Sequence, residues 1–406
     1  PCLAQAIFVR GLGCPTSIGR AAPPRRLFRC GFAASAPLVA MTIAASSAES
    51  RCLRKLPKAE LHIHLEGAMR PATLTELCQK HQVPRPDDTG GKRLADFGPF
   101  AACYMAVCEC LREEADLFRL VREVAEDAAA AGASWIEPAL SLVLYCDRFG
   151  GLEGTLKILL RAAAAAEEST GVGIGFIVAA ERHLPPSEAE SLARAVHGMV
   201  SRGEHMIGGR PGVVAFGLHS AEPGNPPEPF AEAFRIACGD GTLAAIPHAG
   251  ELEPAPGRGP ASVRYCAMDL RAKRIGHGVL AAPDPQLLRE LAAKGVCLDV
   301  CPTSNLLLRV VETIEAHPLP SLLRAGVPCT VNSDDPLLFG CTLLGEFELC
   351  RADLGMDDES LAACARNSFT YSCAPEDLKQ RGIAGIDAWL AAPGDGHADK
   401  RLRSAP

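Results

Sequence analysis

LPKAELHIHLEG, residues 56–67, opens the regular pattern of this chain, and the rest is read outward from it. The run 59–63 has strand character, and residues two apart on a strand share a face, so His62 and His64 point the same way. Two imidazoles on one face are half a metal site; alone, the pair is weak, and solvated or core-satisfied histidines are the commoner case. Seven further strand-like runs follow, at 134–138, 171–179, 213–218, 242–247, 274–276, 296–300 and 329–332. Between them lie helical stretches at 117–131, 154–169, 186–200, 229–238, 285–294 and 319–324. β units each followed by helix predict an α/β fold, a single (β/α)8 TIM-type barrel with extra helices, whose active groups gather at the C-terminal strand ends. An open doubly wound sheet shares the alternation. Against it, no GxGxxG follows any strand, and the glycines at 151–154 and 208–212 sit in loops without a phosphate-binding spacing.

Composition narrows the function classes. The 406 residues are 48% hydrophobic and 22% charged, which supports a large core and excludes intrinsic disorder. Lys and Arg number 41 against 48 acidic residues, giving −7, a balance that argues against nucleic-acid or anionic-membrane partners. No apolar stretch of ~18 residues follows position 50, so no membrane span is expected. The 18 cysteines include no CxxC pair; the closest are Cys108/Cys110 and Cys297/Cys301, and they read as free thiols in a reducing compartment. Residues 1–48 hold no Asp or Glu but carry Arg10, Arg20, Arg25, Arg26 and Arg29, the composition of an organellar transit peptide. That reading sends the protein to a plastid or mitochondrion. The alternative takes Met41 as the start, 1–40 as an untranslated leader, and a cytoplasmic protein. Either way 1–50 is set aside as disordered, 51–392 is the barrel, and 393–406 is a flexible tail.

The chemistry lies where strands end. His248-Ala-Gly-Glu251 closes the fifth run, Gly276-His277-Gly278 the sixth, and Asn332-Ser-Asp334-Asp335-Pro336 the eighth. Singly these read as a cap, a tight turn or a loop charge. Together with the HxH of the first run they face one barrel opening, where His62, His64, His248 and Asp334 can converge on one cation. Three imidazoles and a carboxylate suit Zn²⁺ best, although Fe²⁺, Co²⁺ or Ni²⁺ fit the same ligands.

LPKAELHIHLEG (56–67), IPHAGE (246–251), RIGHG (274–278), VCPTSN (300–305) and VNSDDP (331–336) resemble the adenosine deaminase family of metal-dependent amidohydrolase-type barrels. The resemblance spans residues 53–392, and the C-terminal APEDLKQRGIAGIDAWL is similar to bacterial-type members. It implies one Zn²⁺ per chain held by His62, His64, His248 and Asp334. It also implies a zinc-bound water attacking C6 of a 6-aminopurine, with Glu251 protonating N1, His277 beside the water, and Asp335 facing N7. The residue types make sense on their own terms. A metal brings the pKa of water to about 7. An aromatic C6 is a poor electrophile until N1 is protonated, and an imidazole can shuttle the protons that release ammonia.

Two departures bear on the substrate. Glu66 stands where adenosine-type members often carry Asp, on the ribose side of the pocket, and Glu is common in adenine-type relatives. The fourth run ends Gly217-Leu-His219-Ser220-Ala221-Glu222, where the family usually offers a Gly N–H to purine N3; that role is not transferred to Ser220. With His64, Glu66 and Asp335 lining the substrate side, the expected partner is a small purine nucleoside or base, and the expected reaction is deamination of adenosine or 2′-deoxyadenosine to the inosine product. The alternatives are adenine, N6-methyl-AMP, an aminofutalosine-type nucleoside, or a catalytically silent binding protein. A two-metal hydrolase is disfavoured because the fourth run carries no Lys. His183, His197, His205 and His397 read as solvated, His219 as more often packed than functional, and Cys301 as a packing thiol.

Overall fold

The computed structural model describes residues 50–87, 89–93 and 98–394; the N-terminal segment, the tail from 395 onward and His397 lie outside the described residues. Eight parallel strands hydrogen-bond in chain order: β1 (Lys58–His64), β2 (Ala133–Leu140), β3 (Phe176–Glu181), β4 (Val213–His219), β5 (Ala244–Ala249), β6 (Arg274–His277), β7 (Cys297–Val300) and β8 (Cys329–Val331). Every residue of β1 and β4 is buried, as parallel strands covered on both faces require. The sheet curls until its ends meet. Ile63 bridges Asp334 in parallel register, with His64 N–H donating to Asp334 O at 2.9 Å and Asp334 N–H to His62 O at 3.1 Å.

All eight expected runs are strands, and the third differs in extent. It was expected over 171–179, but β3 starts at Phe176 and continues to Glu181, and a two-residue piece at Gly173–Ile174 pairs with β2 instead. The cause is Trp135. A Cβ on Gly173 or Gly175 would lie 2.6 or 2.8 Å from its indole, so this part of the chain must be glycine to pass the ring. The glycines at 208–212, read as a loop, include the turn of a small hairpin that pairs Met206–Ile207 with Arg210–Pro211.

The helices follow local signals. The helix Pro285–Lys294 has Pro at its first position, Asp284 accepting from Gln286 and Leu287 N–H, and Gly295 left-handed at its end. The helix Glu114–Ala131 opens with a capping box between Glu113 and Asp116. Two extra helices, Pro71–His81 and Gly98–Cys110, lie between β1 and that helix, and the second brings Tyr104 to Glu66 at the C-terminal end of the barrel. In the barrel, fully buried Arg274 pairs with Glu137 at 2.7 Å and with Asp299 at 2.8 Å, so the charge is matched on both sides. Among the described residues the cysteines are free thiols. No described helix is long and apolar enough to cross a membrane.

Candidate metal and catalytic site

Alternation along β1 turns His62 and His64 inward, and β5 and the β8 turn bring His248 and Asp334 to meet them. Asp334 Oδ1 lies 3.2 Å from His62 Nε2 and 3.4 Å from His64 Nε2, and His64 Nε2 lies 3.2 Å from His248 Nε2. Ligands at 2.0–2.1 Å from a tetrahedral cation are separated by about 3.3 Å, so these atoms already stand at coordination spacing. His62 Nε2 is buried without a hydrogen-bond partner, which is what a ligand atom looks like in a protein described without its ion. The four residues fit a divalent cation. His277 also falls within 4.8 Å of the His62, His248 and Asp334 donor atoms. Its Nε2, however, is nearer Glu251 Oε1, at 3.5 Å, than Asp334 Oδ2, at 3.9 Å.

The turns that present these groups are strained. Asp334 and His277 hold φ of +63° and +61°, and Ser220 holds +77°, all left-handed without being glycine. Such strain persists where surrounding structure overdetermines it, commonly at functional sites. At Ser220 the backbone form that a glycine would favour is kept, with Ser220 Oγ 2.8 Å from His183 Nδ1. Gly276 has to be small, because a Cβ there would sit 2.7 Å from His62 Cε1 and 3.1 Å from His248 Cγ.

The three acidic groups of the site are shifted in opposite directions. Burial alone would raise Asp334, but the neighbouring His277, His62 and His64 outweigh it and hold the carboxylate far below its usual range. Asp335 is driven well above it, first by burial and then by the charge of Asp334. Glu251 is likewise raised well above it by burial, Asp334 and Glu222. The shifts favour the protonated form of Asp335 and Glu251 and the carboxylate form of Asp334. Burial lowers His64 and His277 to about 3, leaving both rings neutral. Glu222 holds the Glu251 turn, accepting from Glu251 N–H at 3.0 Å and Gly250 N–H at 3.2 Å.

Glu66 is placed differently from its expected role. It is fully buried, and its carboxylate accepts from Tyr145 Oη at 2.6 Å, Tyr104 Oη at 3.0 Å and Ser141 N–H at 3.1 Å. Three donors take three of the about four acceptor sites of the carboxylate that is expected to meet a ribose hydroxyl. From Ser141 the network continues to His219 Nε2 at 3.3 Å and on to Glu181 at 2.7 Å. His219 is thus buried in the mouth, its ring 5.1 Å from that of His64, rather than packed elsewhere.

Of the remaining histidines, His205 is buried rather than solvated, and His183 sits beside Glu181. Cys301 is a buried thiol pushed up by burial and by the neighbouring charge of Asp334, in keeping with packing. Glu181 went unnoticed because the third run was ended at Ala179, two residues short of the strand end. Tyr104, Tyr145 and Glu222 had no signal, since each acts through a partner distant in sequence.

The family model described as adenosine deaminase matches residues 57–389. A Streptomyces coelicolor relative whose name points to adenosine/adenine deamination is 42% identical over 354 residues, covering 84% of this chain and 99% of its own. An aminodeoxyfutalosine deaminase from Streptomyces coelicolor is 36% identical over 346 residues, covering 83% and 85%. Among solved structures, adenine deaminase from Arthrobacter aurescens superposes with a TM-score of 0.72 at 29% identity, covering 83% of this chain and 99% of that one.

Proposed function

Because the chain belongs to the adenosine deaminase family of hydrolytic 6-aminopurine deaminases, we propose that it works with a single zinc ion and takes free adenine as its preferred substrate. The reading rests on one observation: Glu251 and Asp335, two carboxyls whose pKa is raised by burial and by the charge of Asp334, stand beside Asp334 at the converged histidines. Adenine offers the matching pattern, since the ring acceptors N1 and N7 lie on either side of C6.

His62, His64, His248 and Asp334 would hold the cation, which supplies a Lewis acid that makes water a nucleophile at neutral pH. The chain's own groups then act on the purine. Glu251 gives its proton to N1, so that C6 accepts electron density, and Asp335 donates to N7 and fixes the ring plane. Glu222 keeps the Glu251 turn in place through two main-chain N–H groups. Water adds at C6 and ammonia leaves, giving the 6-oxopurine.

The base is favoured over the nucleoside because Glu66, the group expected to meet a ribose hydroxyl, is committed to Tyr104, Tyr145 and Ser141. The relatives support the class of substrate: adenine and aminodeoxyfutalosine deaminases both act on a 6-aminopurine edge. The test is ammonia release from adenine, adenosine and 2′-deoxyadenosine under one set of conditions. A higher kcat/KM for adenine is expected; a clear preference for adenosine restores the nucleoside reading.

A further inference from the structure

Behind His277, on the side away from the converged ligands, lies a buried chain of polar groups. Asn305, in the short helix Pro302–Leu307 that follows β7, places its amide Nδ2 3.4 Å from His277 Nδ1. Its Oδ1 lies 3.1 Å from His317 Nε2. His317 Nδ1 in turn lies 3.2 Å from the main-chain N–H of Leu319, which opens the helix Leu319–Arg324. Asn305 and His317 are 0% and 4% exposed, so these contacts are not shared with bulk water.

Two imidazoles and an amide can in principle be drawn with their protons in either direction. The last member decides, because a main-chain N–H can only donate. His317 Nδ1 must therefore be the bare, accepting nitrogen. Burial, which pushes His317 down to about 4, keeps that ring neutral, so its one proton sits on Nε2 and is donated to Asn305 Oδ1. With its oxygen committed, Asn305 can face His277 only with its NH₂, and His277 Nδ1 accepts. A ring whose Nδ1 is the accepting nitrogen carries its proton on Nε2, the atom that points toward Glu251 and Asp334. Reversing the amide would set a ring N–H of His317 against the N–H of Leu319.

We propose that Leu319, His317 and Asn305 form a positioning relay that holds His277 as its Nε2–H tautomer. Two consequences follow. An imidazole nitrogen that carries a proton has no lone pair for a metal, so His277 is kept out of the ligand set although it stands within reach of it. In the deamination reading of the site, on which this second consequence rests, His277 meets the reacting oxygen as a hydrogen-bond donor and not as the base that first removes its proton. Asn305 and His317 touch neither substrate nor cation and act through the ring they orient.

The test uses the purified full chain labelled with ¹⁵N-histidine and long-range ¹H–¹⁵N correlation, the ring being assigned by loss of its signals in His277→Gln. His277 is expected to show a protonated, pyrrole-type Nε2 and a bare, pyridine-type Nδ1. The reverse pattern overturns the relay, and this measurement needs neither a relay variant nor any catalytic activity. Kinetics supply the second arm. His317→Phe fills the space without hydrogen bonds and should lower kcat about 10–100-fold, the usual cost of losing an orienting partner, with KM and metal content held. His317→Gln can again donate to Asn305 and should recover most of that loss. Wild-type kcat in His317→Phe, or no recovery in His317→Gln, overturns the proposal. If the protein deaminates no 6-aminopurine, the functional reading falls while the ring signals still decide the tautomer.

Discussion

The side-chain oxygen of Asn332 accepts from the main-chain N–H of Leu61 at 2.8 Å and from that of His62 at 3.2 Å. The end of the last strand is thereby fastened to the first strand beside its metal-type histidine. The Asn332 amide also donates to Thr330 Oγ1 at 2.9 Å, so its orientation is set from behind. This side chain thus reinforces the Ile63–Asp334 bridge that closes the barrel and fixes the backbone that carries two of the converging groups.

Asn332→Ala should leave two buried N–H groups without partners, at about 1–3 kcal/mol each, or about 2–6 kcal/mol in all. Urea unfolding should show a lower midpoint with an unchanged slope. An unchanged midpoint would mean that the strand ends are joined by other contacts.

A Cβ on Gly67 would lie 1.7 Å from Asp335 Oδ1. Gly67→Ala should therefore cost activity by displacing Asp335, with the metal retained. If it acts through that carboxyl, adding Gly67→Ala to Asp335→Ala should lower kcat/KM little beyond Asp335→Ala alone. Multiplicative losses in the double variant refute the coupling.

Glu251 must be protonated to act, and its pKa is raised by burial and by Asp334. The active form is therefore the one present at lower pH, and kcat/KM should fall as pH rises through the folded-state value. Glu251→Gln should keep its metal, lose about 10²–10⁴-fold in turnover, and lack that alkaline limb. Near-normal turnover in the variant removes Glu251 from the acid role.

Glu66→Ala separates two roles for one carboxylate. A sugar contact would raise KM for adenosine and spare adenine. The observed bonds to Tyr104, Tyr145 and Ser141 make the residue part of the pocket wall, so both substrates should lose kcat/KM by similar factors. Steady-state kinetics with the two substrates side by side distinguishes them.

His248→Ala should lose metal and activity together, since it removes one of four ligands, and elemental analysis of the wild type should find one zinc per chain. Full activity in metal-free protein, or two metals per chain, excludes the single-ion site.

Much of the fold and the outline of the site were legible in the chain because the signals are local. Parallel strands buried on both faces are short apolar runs, and helices announce their ends with caps such as Asp284 and Gly295. A (β/α)8 barrel gathers residues from its strand ends at one mouth, so a His or Asp at the end of an apolar run already marks its place: His62, His64, His248, His277 and Asp334 are expected there on this ground, and they converge there. Boundaries were weaker where tertiary contacts set them, as at β3, whose start is displaced by Trp135.

What the sequence by itself determined was therefore which residues reach the barrel mouth, because a strand's alternation and its end are properties of a few consecutive residues. What only the tertiary structure decided was the state in which they arrive. Glu66 is claimed by Tyr145, 79 positions away, and the Asp335 carboxyl is pushed up because burial and Asp334 act on it together. The ring of His277 takes its tautomer from a main-chain N–H at Leu319. Charge state, tautomer and hydrogen-bond partner depend on distances between groups and on exclusion of water, and neither exists until the chain has closed on itself.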